Sequence, residues 1–354
     1  MSRQALVWVV VGAMLVSGCT SQLQETFGSS ASNDWALEMT QVDELHDRNL
    51  TGASVRLAVV DSGVGADHRE YEGVTVRWKD VVNEQPNPYD DDGHGTHVSG
   101  LAVAQGKGGF NNPKVQGVAP GSPLLHAKAI KASGQSSASD VAQGIDWAVD
   151  NGADVLILSL GERPRIVDIN RNLENSVSRA LDRGVVVVAA AGNAQQGESG
   201  EDCQVSSPAN LEDVIAVGAV DRNGTIAEFS CKGGSSSGPL GIGQREDPNK
   251  KPELSAPGVG LIGPWPGLSC AGRADAKYCL NSGTSQAAPI VGGIVALMLE
   301  ENPDLQRQDR ETITQIKTSL TETAEKQSFR GHNDRYGYGI VQGADALDHL
   351  NRNT

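Results

Sequence analysis

The chain has 354 residues, long enough for one large α/β domain or two smaller ones. With 38% apolar residues it is neither a polytopic membrane protein nor globally disordered, and its 42 glycines follow no G-X-Y period, which excludes collagen. The 44 acidic side chains outnumber 29 basic ones, a formal charge of −15 that repels phosphates, so nucleic acid is not an expected partner.

Met1 to Gln4 carries one Arg, and Ala5 to Val16 is a run of twelve uncharged residues. That is too short to span a bilayer and has the length of a signal-peptide core. It leads into Val16-Ser17-Gly18-Cys19, which resembles a bacterial lipobox. The resemblance implies cleavage before Cys19, acylation of that cysteine and anchoring in the cell envelope, because several acyl chains hold far better than one. Residues 1–18 then form a lipoprotein signal peptide. Residues 19–33, polar and Ser-rich after the lipidated Cys19, form a flexible tether. Thr20 follows the cysteine where Asp would suggest inner-membrane retention, which leans toward the outer membrane.

From Trp35 the pattern turns globular, and residues 34–354 show no internal repeat or second linker, so one domain is expected. Val55 to Val60 is an apolar run ending at Asp61. Ser139 is placed to cap a helix in which Val141, Ile145, Ala148 and Val149 recur at helical spacing. Val155 to Leu158 reads as a buried strand. Leu173, Val177, Ala180 and Leu181 mark a second amphipathic helix that Gly184 stops. Val185 to Ala191 and Val214 to Val220 are again apolar throughout. Continuous apolar strands between amphipathic helices predict a mostly parallel sheet with helices on both faces, a three-layer α/β fold. Active sites in such sheets collect beyond the carboxyl ends of the strands, at Asp61, Ser159-Leu160-Gly161 and Gly192-Asn193.

Export also places the cysteines in an oxidising compartment, where the four left after Cys19 suggest two disulfides. Of three pairings, Cys203–Cys231 with Cys270–Cys279 is the expected one, the second closing a short loop as across a hairpin. No C-x-x-C spacing supports a zinc site.

Two further segments carry candidate chemistry. In Asp92-Gly93-His94-Gly95-Thr96-His97 the two histidines share a helix face, and with Asp90, Asp91 and Asp92 nearby a metal site is one reading. The more economical one makes His94 a base and leaves His97 structural. Ser285 opens an apolar stretch, so it sits at a buried helix start whose free N–H groups favour a developing oxyanion. Pro289 is expected in or near the first turn of that helix.

The order Asp61, His94, Ser285 resembles the subtilisin-like serine proteases. Val60-Asp61-Ser62-Gly63, Gly93-His94-Gly95-Thr96-His97 and Ser282-Gly283-Thr284-Ser285 carry the likeness, with Ala191-Gly192-Asn193 and Ser159-Leu160-Gly161 between them. The resemblance implies a subtilisin-like fold and a peptidase in which Ser285 attacks, His94 moves the proton, Asp61 orients the imidazole and Asn193 binds the oxyanion. It implies that Ser159, Leu160 and Gly161 pair with an extended peptide or protein substrate. It implies a monomer that needs no cofactor for its chemistry. Structural calcium is a further implication, with Glu70 and Asn111-Asn112 in roughly suitable places, although the loop Gln105 to Gln116 departs from the family and no ligand is assigned. Glu198, Glu201 and Asp202 read as solvated loop charge that could favour basic substrate residues.

Two departures stand out. Cys19 to Trp35 leaves no room for a folded pro-domain, which keeps open a silent binding or scaffold protein, or one that needs a partner for activation. Gln286 follows the nucleophile where Met is usual; Met oxidises to a sulfoxide and Gln does not, so peroxide is not expected to act through this position. A serine esterase or peptide ligase is a further reading, since an acyl-enzyme partitions among nucleophiles.

Overall fold

The computed structural model describes residues 32–108, 113–161, 171–234, 244–267, 270, 273–275, 277–327 and 331–354; Cys19 and residues 1–31 lie outside them. Seven strands form one sheet: β1 (Leu57–Asp61), β2 (Val76–Asp80), β3 (Leu124–Lys128), β4 (Val155–Leu158), β5 (Val186–Ala190), β6 (Ile215–Val220) and β7 (Leu254–Pro257). Their order is β2-β3-β1-β4-β5-β6-β7, and all pairs are parallel. β1, β3, β4, β5, β6 and β7 are buried at every residue, as strands covered on both faces are; β4, β5 and β6 are unbroken apolar runs, while β3 buries His126 and Lys128 as well. The strand order changes direction between β1 and β4, which opens a crevice at their carboxyl ends.

On one face, α3 (His94–Val103) packs against α6 (Thr284–Glu301); on the other, α4 (Ala138–Asp150) packs against α5 (Arg171–Asp182). α6 is apolar all round and buried from Thr284 to Leu299 apart from Ser285, so it serves as the central helix rather than a surface one. Each fully buried Leu, Ile or Val there contributes about 1.5–3 kcal/mol. The helix approaches closely because Gly292 has no side chain: a Cβ there would lie 2.6 Å from Ile157 of β4.

The short helices α1 (Asp34–Met39) and α2 (Val42–Asp47) precede β1, while α7 (Arg310–Thr323) and α8 (Gly343–Asn353) close the chain. A second sheet, β8 (Leu261–Pro264), β9 (Arg273–Asp275) and β10 (Tyr278–Asn281), is antiparallel in the order β8-β10-β9 and precedes α6. The cysteines pair as Cys203–Cys231 and Cys270–Cys279, with Cα separations of 5.0 and 6.0 Å.

Three expectations need correction. The cap of α4 is Ser137, not Ser139: its extended backbone lets its Oγ accept from the Asp140 N–H at 3.0 Å. Asn33, assigned to the tether, is buried, and its amide exchanges two hydrogen bonds with the backbone of Ile262 (2.7 and 3.0 Å). Pro289 is the sixth residue of α6, beyond the first turn. Its missing N–H would have bonded the carbonyl of residue 285, and that carbonyl accepts from the Ser159 hydroxyl instead, at 2.9 Å.

Charge is also buried. Glu253 Oε1 accepts from both Lys251 Nζ and Lys317 Nζ at 2.7 Å, all three side chains being at most 1% exposed. Its Oε2 accepts from the Ala216 N–H at 2.8 Å.

Candidate active site

β1 delivers Asp61, fully buried, to the crevice. Its Oδ1 accepts from the Ser62 N–H at 2.7 Å and lies 2.8 Å from His94 Nδ1. With Nδ1 donating to the carboxylate, Nε2 is left as the basic nitrogen. Burial lowers the His94 pKa, but the charge and hydrogen bond of Asp61, with Asp92 and Asp90 behind it, outweigh burial and raise it above the usual 6.5.

His94 starts α3, and the residue before it must turn through φ +106°, which Gly93 allows. The His94 N–H donates to Asp92 Oδ1 at 3.1 Å, and Asp90 takes most of the other free N–H groups of that turn. Its Oδ1 accepts from the Asp92 and Gly93 N–H groups (3.1 and 2.8 Å), and its Oδ2 from the N–H and hydroxyl of Thr96 (2.9 and 2.6 Å). Ser62 Oγ also donates to Asp90 Oδ1 at 3.0 Å and accepts from the Gly95 N–H at 2.8 Å, which locks the end of β1 to the start of α3. Asp90, a candidate metal ligand by sequence, fills this role with no spacing signal to mark it, since the N-cap position itself is Gly93. Lys128, beside Asp61 in the sheet register and fully buried, donates to Asp91 Oδ1 at 2.6 Å and to the carbonyls of Ser62 and Ile130. Asp90 and Asp91 thus hold the ends of β1 and β3.

His97 does not join His94. It is buried, its Nε2 is 3.2 Å from the carbonyls of both Leu261 and Cys279, and burial lowers its pKa to about 4. It ties α3 to the second sheet.

Ser285 is the second residue of α6. Its Oγ donates to the Ser159 carbonyl at 3.0 Å, while the Ser159 hydroxyl donates to the Ser285 carbonyl. The nucleophile candidate is therefore turned to the end of β4 rather than to His94. Asn193 lies just past β5, where its Oδ1 accepts from the N–H and hydroxyl of Thr284 (3.0 and 3.1 Å). Two donors on Oδ1 fix the amide orientation and send Nδ2 the other way, toward the space beside Gly283 that the Ser285 N–H also borders. The Asn193 loop is braced by Cys231, whose N–H donates to the Gly192 carbonyl at 3.0 Å, and by the Ala194 N–H on the Phe229 carbonyl at 2.7 Å. Ser159 and Leu160 are buried beside this loop, and Gly161 is partly exposed.

Glu70, expected near a calcium loop, is buried with both carboxylate oxygens taken: Tyr278 Oη donates to Oε1 at 2.8 Å and the Lys107 N–H to Oε2 at 2.9 Å. These neighbours are donors and do not fit a cation; Asn111 and Asn112 lie outside the described residues. Glu201 pairs with Arg335 and Lys232 (2.8 and 3.3 Å) and Asp202 accepts from Ser199, so both act as paired loop charge.

Fold and site together define a parallel-sheet hydrolase that works through a serine. The chain belongs to the subtilase family, which it matches over residues 52–339. It is 34% identical to M-protease of Shouchella clausii (strain KSM-K16) over 308 residues, 87% of this chain and 68% of that protein. Serine protease AprX of Bacillus subtilis (strain 168) is 33% identical over 334 residues, 89% and 71% of the two chains. Subtilisin Savinase of Lederbergia lenta is 34% identical over 87% of this chain and 96% of its own. The protein is a serine endopeptidase.

Proposed function

We propose that this chain is an exported, lipid-anchored endopeptidase that cleaves peptide bonds through Asp61, His94 and Ser285. The 2.8 Å approach of Asp61 Oδ1 to His94 Nδ1 carries the reading, since it fixes the tautomer that a base needs. A χ1 rotation brings Ser285 Oγ from the Ser159 carbonyl to His94 Nε2; catalytic hydrogen bonds are often long before substrate arrives. Ser285 Oγ then attacks the peptide carbonyl, His94 takes the proton and returns it to the leaving amine, and water hydrolyses the acyl-enzyme. Asn193 Nδ2 and the Ser285 N–H, at the N-terminus of α6, bind the oxyanion. Substrate adds as an extended strand along Ser159, Leu160 and Gly161.

Changing Asn193 to Ala lowers kcat by about 10²–10³-fold, the range known for the corresponding donor of subtilisin and adopted from it. KM moves little, and initial rates on a chromogenic peptide check both. Because His94 must be neutral to act, kcat/KM rises with pH through its raised pKa, so the acid limb lies above 6.5. Asp92→Asn removes one of the charges that raise it and shifts that limb to lower pH.

Anchoring rests on the lipobox-like Val16-Ser17-Gly18-Cys19. Protein extracted from cell envelopes in detergent is expected to have a mass beginning at acylated Cys19. Cys19→Ser should leave the protein unacylated and cell-associated only through an uncleaved leader. An unmodified mature mass in the wild type would contradict anchoring.

The bond from Ser285 Oγ to the Ser159 carbonyl favours a second reading, a site that stays unassembled until a partner binds. Peptide turnover by the purified protein alone decides between the two.

A further inference from the structure

We propose that Gln286 is a third hydrogen-bond donor to the oxyanion, beside Asn193 and the Ser285 N–H. The inference rests on Ser285 being the nucleophile.

The observation is a convergence at Gly283, the residue before α6. An atom placed where a Cβ of residue 283 would stand lies 3.3 Å from Asn193 Nδ2, 3.7 Å from the Ser285 nitrogen and 2.8 Å from the Gln286 side-chain oxygen. Three polar groups from the end of β5, the α6 backbone and an α6 side chain thus surround one small volume that glycine leaves open. Two of them are N–H donors already read as oxyanion ligands.

Gln286 is 3% exposed. The two ends of its amide differ in constraint from those of Asn193. Thr284 holds Asn193 Oδ1 with two hydrogen bonds. Among the described residues no hydrogen bond holds either end of the Gln286 side chain. The oxygen and nitrogen of an amide are nearly the same size, and a half-turn about the last side-chain bond exchanges them. With a negative oxygen in the volume, the turned amide presents Nε2 and donates.

The contribution belongs to the transition state. A neutral carbonyl accepts weakly, whereas the tetrahedral oxyanion carries full charge into the hole. Removing the donor therefore lowers kcat and leaves KM almost unchanged. Methionine at this position has no N–H to offer.

The test uses the whole purified protein and two inhibitors: a peptide aldehyde, which forms a tetrahedral adduct with Ser285, and the matching alcohol, which does not. In Gln286→Met, kcat falls about tenfold and the aldehyde binds about tenfold more weakly, the size of one hydrogen bond to a charged group. The alcohol binds as in wild type, which reports that the variant is folded with its substrate cleft intact. Gln286→Glu gives a second readout. Its carboxyl donates only when protonated and repels the oxyanion once ionised, so its activity relative to wild type falls as pH rises when this side chain faces the hole, a trend that a side chain turned away would not produce. The inference is overturned if Gln286→Met keeps the wild-type aldehyde-to-alcohol ratio, or if the Glu variant tracks wild type across pH. A wild-type protein that forms no aldehyde adduct at Ser285 overturns the nucleophile assignment beneath it, and the proposal with it.

Discussion

Ser285→Ala abolishes peptide turnover, lowering kcat by about 10⁶-fold, while the protein keeps its fold. The size is that known for loss of the nucleophile in subtilisin and is adopted from it. The structural half of the expectation comes from the surroundings. Ser285 is partly exposed and its Oγ makes one hydrogen bond, to the Ser159 carbonyl. The Ser285 backbone, whose carbonyl takes the Ser159 hydroxyl in place of the N–H that Pro289 lacks, is unchanged by the substitution. Alanine also favours helix. Thermal unfolding should therefore shift by no more than a few degrees, and the comparison of kcat with the melting temperature separates chemistry from folding. Retention of even a hundredth of the wild-type rate would place the nucleophile elsewhere.

Glu253→Gln has the largest expected effect on stability. Glu253 neutralises one of two ammonium groups that share its Oε1 at 2.7 Å in the buried layer below β6 and β7. Glutamine keeps the shape but leaves both lysines without a counter-charge. Removing one partner of a buried ion pair costs about 3–5 kcal/mol, a large part of a typical stability of about 5–15 kcal/mol. The melting temperature should fall on the order of 10 °C. Unfolding followed by circular dichroism in the Ser285→Ala background, which prevents self-digestion, checks this; a shift within the error of the measurement would contradict it. Burial, helped by the charges of Lys317 and Arg245, outweighs the opposing pull of Glu253 and lowers the Lys251 pKa to about 7 against 10.5 for a free lysine. Between those values the unfolded chain binds the extra proton, so the cost of burying Lys251 is greatest below pH 7 and is relieved as pH rises toward 10.5.

β1, β4, β5 and β6 were readable because their runs are apolar on both faces, so Val155 to Leu158 and Val214 to Val220 could be marked without knowing their neighbours, whereas β2, with Arg77 and Lys79, and β3, with His126 and Lys128, break that pattern and were not. Asp61 and Ser159 were readable for the same reason: the apolar runs stop there, and a parallel sheet gathers those stops at one edge. Cooperation across long sequence separations was not readable. Ser159 and Pro289 solve one problem together, a freed carbonyl, yet stand on β4's end and in α6. The Lys251–Glu253–Lys317 cluster was missed because Asn249-Lys250-Lys251-Pro252-Glu253 has the composition of a solvated loop, and only tertiary packing buries two of its charges. Ser137 won the helix cap over Ser139 because capping depends on where the extended backbone gives way to helix, which spacing alone does not reveal. Asp90 was noticed for its charge, although its role is to accept the N–H groups of the turn that presents His94.

The central claim is that Ser285 is an activated nucleophile in the protein as it stands. The most direct measurement is the intact mass of the purified protein after reaction with a fluorophosphonate, with Ser285→Ala treated in parallel. The wild type is expected to take one adduct, mapped to Ser285, and the variant none. A folded wild type that takes up no adduct, or a variant that still takes one, would contradict it.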